Sequence, residues 1–218
     1  MFKPALIYSF DAWCGWCYGF SGVIKKIAAE FAGSLAPEAL SGGMILPEKP
    51  VHISATAKHI QQAYPQVEAT TGVKFGSDYL WHINNPDESD WYPHSEKPAI
   101  ALCILKEYYP NNPIALAADI QYALHYEGRD LTDNEAYRKL VEGYGLNADD
   151  FIAKLSAKKY RDAAYEEFEI VKQLQVSGFP TVHLQIAPTK FYLVAHGYTP
   201  EDTLRERINA VLDAEKLS

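Results

Sequence analysis

A chain of 218 residues, 48% of them hydrophobic and 22% charged, is long enough to bury a sizeable core and lacks the composition of a disordered chain. Twenty Lys and Arg against 28 Asp and Glu leave a net charge of -8, so there is no basic field to draw in nucleic acid or an anionic membrane surface. No apolar run approaches the roughly 18 residues of a membrane-spanning helix.

The first residues, "MFKPALIYSF", lack the longer apolar region and cleavage site of a secretory signal, which sets the expectation of a cytoplasmic protein. Structural disulfides are rare there. A close cysteine pair then reads as catalytic or metal-binding before it reads as a staple.

Taken in chain order, Ala5 to Phe10 has the β-branched and aromatic content of a short buried strand. The stretch "DAWCGWCYGF" follows at once. Beyond it Phe20, Val23, Ile24, Ile27 and Phe31 recur at steps of three and four, one apolar face of a helix. Ala36 to Ile45 predicts a second strand, which runs through Gly42 and Gly43 into the break at Pro47 to Pro50. From Val51 the texture turns helical, with helices expected over Pro98–Tyr108, Ile114–Tyr126, Asp133–Tyr144, Ala148–Leu155 and Lys159–Leu174, among others. Strand texture returns at Pro180–Ile186 and Phe191–His196. A closing helix is expected from Pro200 to about Leu212, with Thr199 as its N-cap. The order is βαβ, a helical block, then ββα: an α/β unit interrupted in its middle by a helical insertion.

Cys14 and Cys17 sit where the first strand hands over to the first helix. A thiol attacks only as thiolate, and the unpaired N–H groups and positive dipole end of a helix beginning at the motif favour charge on Cys14. Cys17, one turn along, closes a small disulfide ring with it. The more exposed Cys14 is the expected nucleophile and the more buried Cys17 the thiol that resolves the mixed disulfide with substrate. Gly15 and Trp16 between them tune the pair. A zinc site needs further ligands, and the seven histidines form no closely spaced pair of zinc-finger type. The second signal is "VSGFPTV", in which Pro180 opens a strand; proline there is an edge or turn device and a place where a cis bond occurs.

Together the two motifs make the sequence resemble the DsbA family of thioredoxin-fold proteins, in particular its FrnE-like branch of predicted protein-disulfide isomerases. The resemblance runs the length of the chain, through "DAWCGWCYGF", "ADIQYALHYEGRDLTDNEAYRKLVEGYGL" and "VKQLQVSGFPTVHL". It implies a thioredoxin-like fold whose halves, residues 1–50 and 173–218, flank an all-helical insertion, residues 51–172. It implies Cys14 as the attacking thiolate, Cys17 as the resolving thiol and Pro180 as a cis-proline facing them. The backbone around that proline pairs with extended substrate in relatives, which implicates Phe179 and Thr181. Protein or peptide thiols and disulfides are the implied partners, with glutathione as a co-substrate option, no separate cofactor, no metal, and a homodimer as a plausible assembly. One departure stands out. Six positions before the first cysteine, many thioredoxin-fold enzymes carry a buried acid, and here that position is Tyr8.

Other residues have simpler readings. Cys103 shares a helix face with Ile100 and Ile104 and is expected to be a buried apolar thiol. Of Trp13 and Trp16, at least one is expected to form an apolar lip for substrate. Asp11 fits turn chemistry, Ser95 fits a helix cap, and "AYEEFE", Ala164 to Glu169, fits a solvated helix face. The aromatic segment Tyr79 to His94 is expected to pack between the two subdomains. Two other functions stay open: a glutathione-dependent transferase or isomerase of the kappa-class or hydroxychromene-carboxylate isomerase type, and a binding or chaperone module for apolar chains.

Overall fold

The protein is represented by a computed structural model that describes residues 2–216. Strand β1 (Ala5–Phe10), helix α1 (Gly15–Glu30) and strand β2 (Ala36–Ser41) form a parallel βαβ unit. Strands β3 (Thr181–Ala187) and β4 (Lys190–His196) add antiparallel to β1, giving the sheet order β2-β1-β3-β4. Helix α9 (Glu201–Ala214) closes the unit.

The sheet sorts its side chains by strand alternation. Leu6, Tyr8 and Phe10 of β1 join the main core, where α1 contributes Phe20, Ile24 and Ile27, and α9 contributes Leu204, Ile208 and Leu212. Ile7 points the other way, to Leu40 and to Val171 of helix α8 (Lys158–Gln173). The βαβ unit and the two-stranded return are therefore held from both faces.

Between β2 and β3 lie α2 (Ser54–Thr71), α3 (Ser77–Asn84), α4 (Glu96–Tyr108), α5 (Pro113–His125), a 3-10 turn (Glu135–Tyr137), α6 (Arg138–Gly143), α7 (Ala148–Lys154) and then α8. The predicted order of strands and helices is the observed one. Boundaries move by one to three residues at most helix ends, but three expectations need correction. The second strand ends at Ser41 rather than Ile45, because the chain turns through Gly43 at φ +65. The single helix expected over Asp133–Tyr144 is a 3-10 turn followed by the short α6. Thr199 does not cap α9: its hydroxyl donates to the Gly197 carbonyl at 3.3 Å, and the cap position is Pro200.

Two further side chains differ from expectation. Glu167, placed on a solvated face by sequence, is buried, where its carboxylate accepts from Ser41 N at 2.8 Å and from Lys106 Nζ at 2.9 Å. Cys103 is buried as expected, though against that carboxylate rather than in purely apolar surroundings: its Sγ lies 3.5 Å from Glu167 Oε1. Burial and the nearby carboxylate push its thiol well above the ordinary range, so it is unreactive.

Candidate functional site

The end of β1 and the start of α1 create the site. Asp11 is buried, and burial raises its carboxyl pKa against the lowering effect of two backbone donors, Met44 N at 2.8 Å and Trp13 N at 3.0 Å. Those bonds make Asp11 a turn residue that ties the turn before α1 to the segment after β2. The turn closes with Cys14 N donating to Asp11 O at 3.1 Å.

Cys14 is then the N-cap of α1, with extended backbone at φ -83 and ψ 109. Its Sγ accepts from Cys17 N at 3.4 Å, taking one of the orphan donors of the helix. On its other side the sulfur faces the Phe179 carbonyl at 3.7 Å. The Phe179–Pro180 bond is cis. Both cysteines are free thiols, Cys14 at 8% exposure and Cys17 at 0%. Burial, with the adjacent Cys14 sulfur adding to it, pushes the Cys17 thiol well above its ordinary value. Cys14 is thus buried rather than exposed as expected, reached through the cavity its side chain lines, and it is backed by a deeper thiol that holds its proton.

Tyr8 lies under the pair. Its hydroxyl donates to the Cys17 carbonyl at 3.4 Å, and burial, then the two neighbouring cysteine sulfurs, hold its own proton firmly. Tyr8 therefore cannot take the proton of Cys17 at neutral pH. Tyr8→Phe is expected to leave the Cys14/Cys17 redox equilibrium within about twofold while costing roughly 1 kcal/mol of stability for the lost buried hydrogen bond; urea unfolding and titration in glutathione buffers together check this.

Above Cys14 opens a cavity of ≈ 400 Å³ with mostly apolar walls. Trp13, Gly15, Trp16 and Phe179 line it from the thioredoxin side, and the opposite wall is α2, through Thr56, His59, Ile60, Ala63 and Tyr64. Phe75 and Tyr79 also line the cavity. Helix α2 reaches α1 because Gly19 lacks a side chain: a Cβ there would lie 2.9 Å from Val67 and Thr71. Neither α2 nor α3 was singled out by sequence. Helix α2 hides itself with Pro65 in its middle and few buried positions, Ala57 and Val67, so its apolar period is faint.

The sequence-predicted residues divide. Cys14, Cys17, Gly15, Trp16 and Phe179 come together, Trp16 half-buried at the mouth of the cavity. Trp13 is buried rather than forming a lip: its Nε1 donates to the His94 carbonyl at 3.0 Å and its ring meets Trp91 edge-on at 5.9 Å, which is the contact between subdomains expected of the 79–94 segment. Thr181 is buried too, in a strand flanked by β1 at Ser9 and β4 at His196, so its backbone has no free edge for substrate. The carbonyl that faces the Cys14 sulfur is that of Phe179. Ser95 stands at the N-cap position of α4 as expected, but its side chain makes no cap bond: its Oγ accepts from Ile45 N at 3.0 Å. Among the described residues no three His, Cys, Asp or Glu side chains gather in a metal-binding cluster, and no helix is long and apolar enough to cross a membrane.

Comparison with known proteins adds to this geometry. No curated protein matches the chain by sequence. A structure from Nitrosomonas europaea, described as a candidate protein disulfide isomerase, is 24% identical and superposes with a TM-score of 0.81 over 98% of this chain and 99% of that one. The cytosolic disulfide reductase DsbM from Pseudomonas aeruginosa is 24% identical, with a TM-score of 0.74 over 96% of this chain and 99% of its own, and it has also been crystallised with GSH. A 2-hydroxychromene-2-carboxylate isomerase shares the fold at 14% identity, a TM-score of 0.62 and coverage of 98% and 99%. Residues 115–209 match the family of DSBA-like thioredoxin domains, a span that includes Phe179 and Pro180 and stops short of the cysteine pair. By sequence residues 115–209 are similar to DSBA-like thioredoxin domains, and the four-stranded sheet with its helical insertion gives the chain as a whole the thioredoxin-like fold of these structures.

Proposed function

We infer that the protein is a thiol–disulfide oxidoreductase that works through Cys14 and Cys17 and reduces or isomerises disulfides with glutathione as its thiol partner. The observation that carries this is the Cys14 sulfur itself: it caps α1, accepts the Cys17 amide, faces the Phe179 carbonyl and opens onto an apolar cavity. In this reading the Cys14 thiolate attacks a substrate disulfide, forming a mixed disulfide and releasing one substrate thiolate. The Cys17 sulfur, once deprotonated, attacks Cys14, which releases the second thiolate and leaves the protein oxidised by two electrons. Two glutathione molecules return the dithiol and leave as glutathione disulfide. The Phe179 carbonyl is placed to receive a backbone N–H of extended substrate, and the helical block of residues 51–172 supplies the substrate-side wall.

The likeness to DsbM, described as a disulfide reductase and crystallised with GSH, supports the direction and the partner. The intact cysteine pair favours this reading over an isomerase of the chromene-carboxylate type, whose relatives generally have serine at the Cys14 position. The test is the equilibrium of the Cys14/Cys17 couple in glutathione buffers, read by Trp16 fluorescence and thiol alkylation. A potential of about -270 to -200 mV is expected for a reductase or isomerase, against about -120 mV for an oxidant. Absence of a two-electron transition would overturn the reading.

A further inference from the structure

Gln121 and His125 lie one turn apart on α5 and are fully buried, at 0% exposure. Both reach out of the helical block to the active-site turn. Gln121 Nε2 donates to Asp11 O at 3.2 Å, and His125 Nε2 donates to Ala12 O at 3.1 Å. These are consecutive carbonyls, and Asp11 O is the same acceptor that closes the turn onto Cys14 N.

The His125 ring is packed among Tyr18 at 5.1 Å, Tyr79 at 5.0 Å and Phe75 at 5.5 Å, and burial drives its pKa down to about 3. It is therefore neutral, with its proton on Nε2, as donation to a carbonyl requires. Each side chain makes one polar contact: Gln121 Oε1 and His125 Nδ1 find no hydrogen-bond partner among the described residues. An apolar residue would be easier to bury at either position, since a half-satisfied amide or imidazole leaves desolvation uncompensated. What sets these two apart from ordinary core residues is the pair of carbonyls they hold.

We propose that Gln121 and His125 are positioning residues of the redox site, clamping the Asp11 and Ala12 peptide planes so that Cys14 keeps the N-cap geometry in which its sulfur meets the Cys17 amide. The clamp rests on Cys14 being the attacking thiol. Without it, Ala12 O loses its side-chain donor and Asp11 O keeps only Cys14 N; the turn then rotates toward other partners, which moves the Cys14 backbone and withdraws its sulfur from the amide. The bond from the Cys17 amide is made to the free Cys14 sulfur of the reduced protein, whereas in the disulfide that sulfur is bonded to Cys17. Loosening the turn therefore disfavours the reduced form, shifts the couple toward disulfide and slows attack by Cys14.

The experiment compares wild type with Gln121→Met, His125→Phe, the donor-retaining His125→Gln and, as a control, Ile120→Val, a buried α5 residue whose side chain makes no hydrogen bond to the turn. Each is titrated in glutathione buffers and its Cys14 alkylation by iodoacetamide is timed at pH 7, with urea unfolding alongside. The expected result is a shift of the glutathione equilibrium constant toward disulfide by about fivefold in Gln121→Met and His125→Phe, with alkylation slowed by a similar factor. His125→Gln is expected to recover most of both, and Ile120→Val to change neither despite its lost stability. Equal equilibria and rates in all variants, with only the unfolding midpoint moved, would reduce the pair to ordinary core and sink the proposal alone. Absence of any transition in wild type would sink the oxidoreductase reading and the clamp with it. Should His125→Phe fail to fold, Gln121→Met decides.

Discussion

Replacing Cys14 by Ser is expected to abolish disulfide exchange, by at least about 10³-fold, while leaving the fold intact. A serine hydroxyl keeps the N-cap bond to the Cys17 amide, since Ser is a strong capping residue, but at neutral pH it is not ionised and is a poor nucleophile. The helix therefore survives and the chemistry does not. Cys17→Ser should separate the two steps: its Cys14 still attacks, and with no resolving thiol the mixed disulfide accumulates. Mass spectrometry of the variant after exposure to glutathione disulfide checks this directly, as a stoichiometric glutathione adduct on Cys14. Activity retained in Cys14→Ser, or an adduct found on Cys17 or Cys103 in wild type, would refute the assignment. Cys103 is a natural internal control, because its thiol is buried against Glu167 and held protonated.

Gly76→Ala should be the most damaging single methyl in the protein. A Cβ at Gly76 would lie 1.7 Å from the Tyr126 carbonyl oxygen and 2.6 Å from its carbon, and both are backbone atoms at the end of α5. A side chain can step aside; this peptide plane cannot, because Gly76 N itself donates to the neighbouring His125 carbonyl at 2.9 Å. The crossing also presses Phe75 onto His125 and Tyr79, and Phe75 and Tyr79 line the cavity over Cys14. We expect a loss of about 3 kcal/mol, read in urea as a midpoint lowered by roughly 1.5 M for a chain of this size. Gly22→Ala is the matched contrast. It sits within α1 with nothing within 4 Å of the added methyl, so the same substitution there is expected to stabilise by about 0.5–1 kcal/mol through helix propensity alone. Similar shifts in the two variants would contradict the close approach at Gly76.

Much of this protein is written in short-range patterns. The steps of three and four from Phe20 to Phe31 make α1 amphipathic, and the handover from Ala5–Phe10 to that helix places Cys14 at its N-terminus whatever surrounds it. Chain order likewise dictates a βαβ unit and a ββα return, because a parallel pair needs a crossover and an antiparallel pair does not. Local chemistry of this kind reaches only as far as one element and its caps.

The rest depends on residues distant in sequence. Trp13 and Trp16 are equivalent in the motif, yet one is buried against Trp91 and the other stands at the cavity mouth, since only the packing of the insertion distinguishes them. Glu167 looks like one acid in a solvated run until Ser41 and Lys106 meet it inside the molecule. Thr181 follows Pro180 in the motif, but β1 and β4 on either side take its backbone out of reach. Gln121 and His125 carry no signal at all: an amide and an imidazole on a helix become donors to the active-site turn only once α5 crosses beneath it, 110 and 113 residues from their acceptors. Spacing along a few turns of chain was enough to put the Cys14–Cys17 pair at a helix start and to order the elements. The tertiary structure alone decided which side chains face the sulfur, which line its cavity and which hold its turn, because burial and hydrogen-bond pairing are settled between elements that the chain keeps far apart.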